Sequence, residues 1–381
     1  MDDCLQLFPD SGIAFTDKKG AVFEKSFKVS TYLYAIVAGP FGFHERAAVE
    51  GSPRMRIYAR QSLLSDVRHE DMFTATQCGI DFYQKYFGRA YPFRKYDQVF
   101  VPEHNAGAME NVGCVTYNEA YLYRGQNPTL AKRLRFTITN LHELAHMWFG
   151  DLVTMKWWND LWLNEAFATF MSFLVMQLSP PLEQYHATCW VTFMQYKFWG
   201  ISTDQLSSTH PICCEIADTN EADAIFDGIS YGKGAAWLKQ LYYIVGHEPM
   251  SKGLEVYFAK HEWENTTLPD FVGALSDACK ASGDASLGAD FDLAEWCDCW
   301  LNSSGINTLE PVAEVENGQL KSLKIKQGLG LKGKNRLRLQ KLDVAIYEAA
   351  GGGDPVVVKG VVVGDKTELT DVDISQLPGD F

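Results

Sequence analysis

The sequence lacks the regular cysteine spacing of a disulfide-stabilised protein. Its nine cysteines are odd in number, two of them are adjacent, and no interval between them repeats. This distribution argues against a disulfide framework and favours a reducing compartment. Cys297 and Cys299 have no second pair at the spacing of a zinc finger, so we interpret both as residues on the face of a helix.

Long apolar runs and an excess of positive charge are also missing. No stretch approaches the ~20 apolar residues that cross a bilayer, and the first residues lack the basic and apolar segments of a secretion signal. The formal net charge of -14 argues against nucleic acid as a partner. Together these absences predict a cytoplasmic chain without a membrane segment.

Apolar and aromatic residues are abundant, at 46% and 13% of 381 residues, which predicts packed globular units and more than one core. Residues 1–54 alternate like strands but are too few to close a sheet of their own. Residues 55–305 carry most of the helical periodicity, and residues 306–381 consist of alternating or β-branched runs between glycine-rich turns. We therefore predict an α+β multidomain protein with these three parts, the last a small β-sandwich.

The strongest pattern is a pair of histidines, His142 and His146, with Glu-Leu-Ala between them. On a helix this spacing places both imidazoles on one face, within reach of one zinc ion. Four other His-Glu pairs in the chain lack the second histidine, so the complete pattern occurs once. Glu143 would then lie beside the metal, where a carboxylate can take a proton from water.

A hydrolytic zinc site uses three protein ligands, so a third is needed. We predict Glu165, which is separated from His146 by eighteen residues. A solvated helix charge is the simpler interpretation of this glutamate, but its neighbours are apolar, and a buried carboxylate needs a cation. These neighbours are Trp162, Leu163, Phe167 and Phe170.

Two helices are expected to carry the three ligands. The first follows the helix-start signal Asn127-Pro128 and closes at Gly150. The second spans residues 161–178 and is stopped by Pro180-Pro181. Because a short connection makes two helices pack antiparallel, Glu165 is expected to return to the histidines. The buried face of the first helix is predicted as Leu130, Leu134, Ile138, Leu141 and Ala145.

Three segments together resemble the zinc aminopeptidase N family of gluzincin metalloaminopeptidases. They are Gly107-Ala108-Met109-Glu110-Asn111, the histidine pair with Glu165, and Ser230-Tyr231-Gly232-Lys233-Gly234, and the likeness extends through Thr209-His210-Pro211. The resemblance implies a thermolysin-like catalytic domain that binds one Zn²⁺ through His142, His146 and Glu165. It also implies that most of the N-terminal domain and the helical C-terminal domain of such enzymes lie outside this sequence.

The resemblance further implies roles for single residues. Gly107, Ala108, Met109, Glu110 and Asn111 would form the substrate-binding segment, with Glu110 holding the free α-amino group of a peptide. Tyr231 would donate a hydrogen bond to the tetrahedral oxyanion, while Glu143 acts as the general base. From the residues alone, the first segment reads as a surface turn and Tyr231 as an ordinary aromatic, so these roles depend on the family pattern.

The predicted function is zinc-dependent removal of N-terminal residues from peptides with a free N-terminus. Two other interpretations stay open. One is a folded zinc-binding fragment without activity of its own, and the other is a relative of the lipid epoxide hydrolases of this family. Intact Glu143 and Tyr231 argue against a purely non-catalytic zinc fold.

Overall fold

The computed structural model describes most of the chain and divides it into two compact units. The described residues are 13–17, 20–23, 25–124, 127–283, 291–330, 336–348, 353–365, 369–375 and 377, the first two ranges as backbone only. Within these residues, the first unit comprises Met1–Gln195 with Ser251–Phe271, and the second comprises Tyr196–Met250 with Val272–Phe381. Helices and several sheets confirm the prediction of a mixed α+β protein.

The first unit is built on a five-stranded sheet. Its strands are β3 (Phe41–Arg46), β4 (Arg54–Arg60), β5 (Lys95–Val101), β6 (Ala108–Met109) and β7 (Cys114–Asn118), preceded by a ribbon of β1 (Ile13–Asp17) and β2 (Gly20–Phe23) and followed by the short pair β8 (Thr154–Met155) and β9 (Asn265–Thr266). The order in the sheet is β3-β4-β5-β7-β6, with β5 parallel to both of its neighbours and antiparallel pairing at either end. The predicted substrate-binding segment therefore contributes the edge strand β6.

Three helices of the first unit are α1 (His69–Phe87), α2 (Leu130–His146) and α3 (Leu161–Leu178). Aromatic side chains join them: the ring centroids of Phe87 and Phe167 are 5.8 Å apart, and Phe149 stacks on Phe167 at 4.3 Å. Burying a side chain of this size contributes ~1.5–3 kcal/mol, so the cluster makes a rigid frame for the helices that carry the predicted ligands. Its members, all at most 3% exposed, are Tyr83, Phe87, Trp148, Phe149, Phe167 and Phe258.

The bounds of α3 agree with the prediction, but those of α2 do not. Thr129 caps α2, accepting a hydrogen bond from the Lys132 N–H at 3.3 Å, so Asn127-Pro128 lies before the cap. The helix ends at His146 rather than Gly150, because Asp151 N–H bonds the His146 carbonyl oxygen at 2.9 Å and turns the chain. Leu130 is 45% exposed, since the first turn of α2 faces solvent, whereas the four other predicted positions are buried.

One segment of the described residues, Trp158–Leu178, is long and apolar enough to cross a membrane by length and composition. The prediction that no stretch approaches this length is wrong here. However, 89% of the apolar window is buried inside the protein, and the segment contains the predicted ligand Glu165. A core helix has the same properties, so the segment is weak evidence for a membrane span.

The second unit combines helices with two small sheets, β10-β11-β14 and β12-β13. Its buried apolar cluster is formed by Leu323, Ile325, Val358, Val361, Val363 and Val372. Cys297 and Cys299 lie on a helix, as predicted. The helices are α4 (His186–Asp204), α5 (Thr219–Ala224), a π-helix (Ile229–Lys233), α6 (Gly234–Val245), α7 (His247–His261), α8 (Leu268–Ser282) and α9 (Leu293–Leu301). Three of them, α4, α7 and α8, have residues in both units. The strands are β10 (Asn307–Glu316), β11 (Gln319–Leu329), β12 (Gln340–Ile346), β13 (Val356–Val363) and β14 (Leu369–Asp371).

Candidate active site

The three predicted metal ligands meet at one buried point of the first unit. His142 and His146 lie one turn apart at the end of α2, and their Nε2 atoms are 3.1 Å from each other. Glu165, one turn into α3, places its Oε2 3.3 Å from His142 Nε2 and 3.6 Å from His146 Nε2. Among the residues whose placement is described, these three form the one His, Cys, Asp and Glu cluster compact enough for a metal, with ligand atoms within 4.8 Å of one another.

Both imidazoles are oriented by a second contact through Nδ1. His146 Nδ1 is 3.1 Å from the Phe149 carbonyl oxygen, and His142 Nδ1 is 3.2 Å from Thr169 Oγ1. A carbonyl oxygen only accepts, so His146 Nδ1 carries the hydrogen in that bond. In the neutral imidazole with its hydrogen on Nδ1, the lone pair of His146 Nε2 faces the cluster, which is the orientation that a metal-binding histidine requires.

Gly150 allows the turn that presents the Phe149 carbonyl. Its φ of +133° is a conformation that side-chain-bearing residues rarely adopt. A Cβ at this position would lie 3.3 Å from His146 Nδ1 and 3.2 Å from Asn164 Nδ2. Gly150, which was predicted as the helix end, thus lets the backbone approach the side chains of His146 and Asn164 closely.

The cluster stabilises positive charge within a buried environment. Burial alone would raise the pKa of Glu165, but the charge of His146 and hydrogen bonds from both imidazoles hold this pKa well below its usual range. Burial lowers the pKa of His142. Burial also disfavours charge on His146, but the carboxylates of Glu110 and Glu165 outweigh it and raise its pKa. The carboxylates at this site therefore favour a bound cation.

Glu143 lies next to His142 on α2 and is only 5% exposed. Its Oε2 has no hydrogen-bond partner among the described residues. Burial, together with the negative charges of Glu110 and Glu165, raises the pKa of Glu143 well above its usual value. A buried carboxylate oxygen without a partner is costly in a folded protein, which indicates that a further polar group belongs beside it.

Glu110 reaches the same site from the edge of the sheet. It follows β6 directly, is 7% exposed, and has its pKa raised by burial. The charge of His146 lowers the pKa of Glu110, and the charge of Glu165 raises it. Glu110 therefore belongs to the same electrostatic environment as the predicted ligands. Asn111, the next residue, is fixed because its Oδ1 accepts a hydrogen bond from Thr116 Oγ1 at 3.2 Å.

Two further residues of this site were missed by sequence reasoning. Asp151 is 1% exposed, and neither of its carboxylate oxygens has a hydrogen-bond partner in the part of the chain that the structure describes. Burial raises its pKa well above the usual value, and the charge of Glu110 adds to the effect. Burial raises the pKa of Tyr32 well above its usual value, and the negative charges of Glu110, Asp151 and Glu165 add to the effect. The position of Asp151 after Gly150 was the available signal, whereas nothing near Tyr32 indicated its place.

Tyr231 lies in the second unit, on the π-helix Ile229–Lys233. Its backbone N–H donates to the Asp227 carbonyl oxygen at 3.1 Å, and its ring stacks on Trp199 with centroids 5.9 Å apart at 23°. Short π-helical segments occur often at functional sites. The other predicted residues, from Gly107 to Glu165, all belong to the first unit.

The chain matches the family model "Peptidase family M1 domain" over residues 72–300. It is 42% identical over 360 residues to Aminopeptidase N of Streptomyces lividans, an alignment that covers 92% of this chain and 40% of that protein. It is 38% identical over 275 residues to Tricorn protease-interacting factor F2 of Thermoplasma volcanium, covering 72% and 34% of the two chains. Aminopeptidase M1-B of Oryza sativa subsp. japonica is 37% identical over 260 residues, covering 68% and 29%. The chain thus spans less than half the length of each of these relatives.

Proposed function

This chain belongs to peptidase family M1, and from that membership and the geometry of the site we propose that it acts as a zinc-dependent aminopeptidase. The observation that carries the proposal is the convergence of the His142, His146 and Glu165 ligand atoms, with the partly unpaired carboxylate of Glu143 beside them. The names of the aminopeptidase relatives support the same reaction class.

The residues at the cluster fit one Zn²⁺ ion. Two imidazole nitrogens and one carboxylate oxygen are the donor set of a catalytic zinc site that keeps a further position open. His146 is already oriented by Phe149, and Glu165 supplies the negative charge that a buried cation needs. When bound, zinc would supply Lewis-acid activation of water and of the scissile carbonyl.

We assign the proton transfers to Glu143. A carboxylate whose pKa lies well above its usual value is suited to accept a proton from water and to donate it to the departing amine. The unpaired Oε2 gives this group a vacant acceptor position in the site. Glu143 directly follows His142 on α2, so the base lies on the same helix as two of the proposed metal ligands.

Glu110 and the edge strand β6 account for selectivity toward peptide N-termini. An edge strand binds an extended peptide by adding a further strand, which supports a substrate-binding role for Gly107, Ala108, Met109 and Asn111. A buried carboxylate at the end of this strand pairs with the α-ammonium of the substrate. Acetylation of that amine would leave Glu110 buried without a cationic partner, which is costly.

The proposal extends to the remaining assignments. Tyr231 donates a hydrogen bond to the tetrahedral oxyanion. Residues 55–305 form a thermolysin-like catalytic domain, between the remnant of a β-rich domain at 1–54 and a β-sandwich at 306–381. We further propose that the chain takes part in peptide catabolism, in the cytoplasm that its irregular cysteine spacing favours. A zinc-binding fold without turnover is the second candidate, since the three ligands alone suffice to hold a metal ion.

The test compares hydrolysis of one peptide with a free and with an acetylated N-terminus, each with and without a chelator. Cleavage of the free peptide alone, lost on chelation, is expected. Equal cleavage of both peptides would contradict the aminopeptidase assignment. Zinc binding without any cleavage would favour the second candidate. Glu143→Gln should abolish cleavage of the free peptide, and Glu310→Gln is the matched control, because Glu310 lies exposed on β10, in the other unit from the metal cluster.

A further inference from the structure

Two residues of the second unit, His210 and Asp227, connect a segment with no assigned role to the turn that carries Tyr231. His210 Nε2 lies 3.2 Å from Asp227 Oδ2. The other oxygen of the same carboxylate, Oδ1, accepts the backbone N–H groups of Ile229 at 2.8 Å and Ser230 at 3.2 Å. We propose that His210 and Asp227 are positioning residues that hold Tyr231 in its working orientation. Because Tyr231 acts on a substrate only in the function proposed above, this inference rests on that function.

The geometry around His210 requires a charged imidazole. Its Nδ1 lies 2.7 Å from the Pro211 carbonyl oxygen, while its Nε2 faces the Asp227 carboxylate. A neutral imidazole has one N–H, so only the imidazolium can donate to both acceptors. Burial lowers the pKa of His210, but the hydrogen bond to Asp227 and those to Cys214 and Pro211 outweigh it and raise the pKa to about 10. The contact is therefore a charge-assisted hydrogen bond, roughly twice as strong as a neutral one.

Close packing on α4 limits the freedom of the same turn. A Cβ on Gly232 would collide with the Tyr196 carbonyl oxygen, and one on Gly228 would lie 2.7 Å from the Trp199 carbonyl oxygen. The ring of Tyr231 stacks on that of Trp199. Packing therefore fixes one side of the turn, and the Asp227 carboxylate fixes the N–H groups at its start.

A second ion pair holds the end of the turn and leads back to the same segment. Lys233 Nζ lies 2.8 Å from Asp204 Oδ2, and both side chains are at most 9% exposed. Asp204 Oδ1 accepts a hydrogen bond from Thr209 Oγ1 at 2.6 Å. Thr209 and His210 are consecutive in the chain. Thr209 contacts Asp204, which pairs with Lys233 at the end of the turn, and His210 contacts Asp227 at its start. The Thr209-His210-Pro211 segment therefore supports the turn that carries Tyr231 at both of its ends.

A double-mutant cycle tests whether His210 acts through Tyr231. The variants are His210→Ala, Tyr231→Phe and the two combined, with kcat and KM measured on a peptide with a free N-terminus. Tyr231→Phe should lose roughly 100-fold in kcat, as expected for one oxyanion donor. His210→Ala should lose about tenfold in kcat with KM almost unchanged, and the double variant should be no slower than Tyr231→Phe.

Two further variants complete the experiment. His210→Gln keeps an N–H donor for Asp227 and should recover most of the lost kcat. His247→Ala should match the unsubstituted chain, because His247 also contacts a side-chain oxygen, Tyr242 Oη at 3.0 Å, but is not part of this turn. Additive losses in the cycle, or an unimpaired His210→Ala beside an impaired Tyr231→Phe, would overturn this inference alone. Full activity of Tyr231→Phe would instead overturn the catalytic role of Tyr231 and this inference with it.

Amide hydrogen exchange gives a readout that needs no turnover. The N–H groups of Ile229 and Ser230 should exchange at least tenfold faster in His210→Ala, recover most of their protection in His210→Gln, and be unaffected in His247→Ala. Exchange of the N–H groups in α6 should stay constant. This would distinguish loss of the two hydrogen bonds to Asp227 from general unfolding. Unchanged exchange of the two N–H groups in His210→Ala would overturn the positioning role even in an inactive chain.

Discussion

His146 Nδ1 lies 3.1 Å from the carbonyl oxygen of Phe149, only three residues further along the chain. The bond exists because α2 stops at His146 and the chain turns back at Gly150, whose φ is +133°. The backbone turn therefore determines which nitrogen of His146 faces Glu165. Orientation of a metal ligand by a neighbouring carbonyl typically accounts for 10- to 100-fold in metal affinity.

Gly150→Ala should weaken zinc binding and destabilise the first unit. The added Cβ would lie 3.3 Å from His146 Nδ1. The φ of +133° is also unfavourable for alanine and costs ~1–3 kcal/mol. Zinc titration should show about a 10- to 100-fold loss of affinity. Gly273→Ala is the matched control, since a Cβ there meets no atom within 4 Å. Equal zinc affinity in the two variants would contradict the role of the turn.

Glu143→Gln and Glu165→Gln should separate turnover from metal binding. Glu143→Gln removes the proton acceptor and should abolish peptide cleavage while the zinc content stays at one ion per chain. Glu165→Gln removes the carboxylate that lies 3.3 Å and 3.6 Å from the two imidazoles and should lose zinc first. Each variant is the control for the other. Metal analysis together with a cleavage assay distinguishes loss of zinc from loss of turnover. Normal zinc content in Glu165→Gln would mean that the third ligand is misassigned.

The metal cluster was readable from the sequence because its geometry is local. Residues four apart share a helix face, so His142 and His146 needed only the prediction of α2, and the apolar neighbours of Glu165 predicted its burial. No such signal existed for Tyr32 or for the contact between His210 and Asp227, since the latter two lie seventeen positions apart in the chain and only folding joins them. The end of α2 was misplaced because Gly150 was interpreted as a cap when its role is close approach to His146.

Glu110→Gln should reduce discrimination between free and blocked peptide N-termini. The buried carboxylate provides a charge-assisted contact to the α-ammonium, worth ~1.5–3 kcal/mol, so kcat/KM on the free peptide should fall roughly 10- to 100-fold. Hydrolysis of the acetylated peptide, which cannot form this contact, should not fall in parallel. Kinetics on both peptides check the ratio, with Glu310→Gln as the exposed control. An unchanged ratio would remove Glu110 from the amine site.

The His210 and Asp227 pair should stabilise the second unit over a defined pH range. The pKa of His210 is raised to about 10, so its contribution is complete below the unfolded value of ~6.5 and is lost as pH rises through 10. Burial raises the pKa of Asp227, but its hydrogen bond from His210 prevails and lowers it. The contribution of Asp227 is therefore complete above its unfolded value of ~3.9 and is lost as pH falls through the lowered pKa.

Both contributions are consequently complete between pH ~4 and ~6.5 and decline toward pH 10. Cys214 is the other titratable group at this histidine, with its Sγ 4.0 Å from His210 Nδ1. Urea unfolding of the unsubstituted chain and of His210→Gln, which has no ionisable group at this position, should therefore differ most near pH 5–6. The difference in unfolding free energy should shrink as the pH is raised to 10, and Cys214→Ser in both backgrounds should leave that trend intact. A difference that stays constant from pH 5 to pH 10 would mean that His210 is neutral in the folded protein, in conflict with its two acceptors.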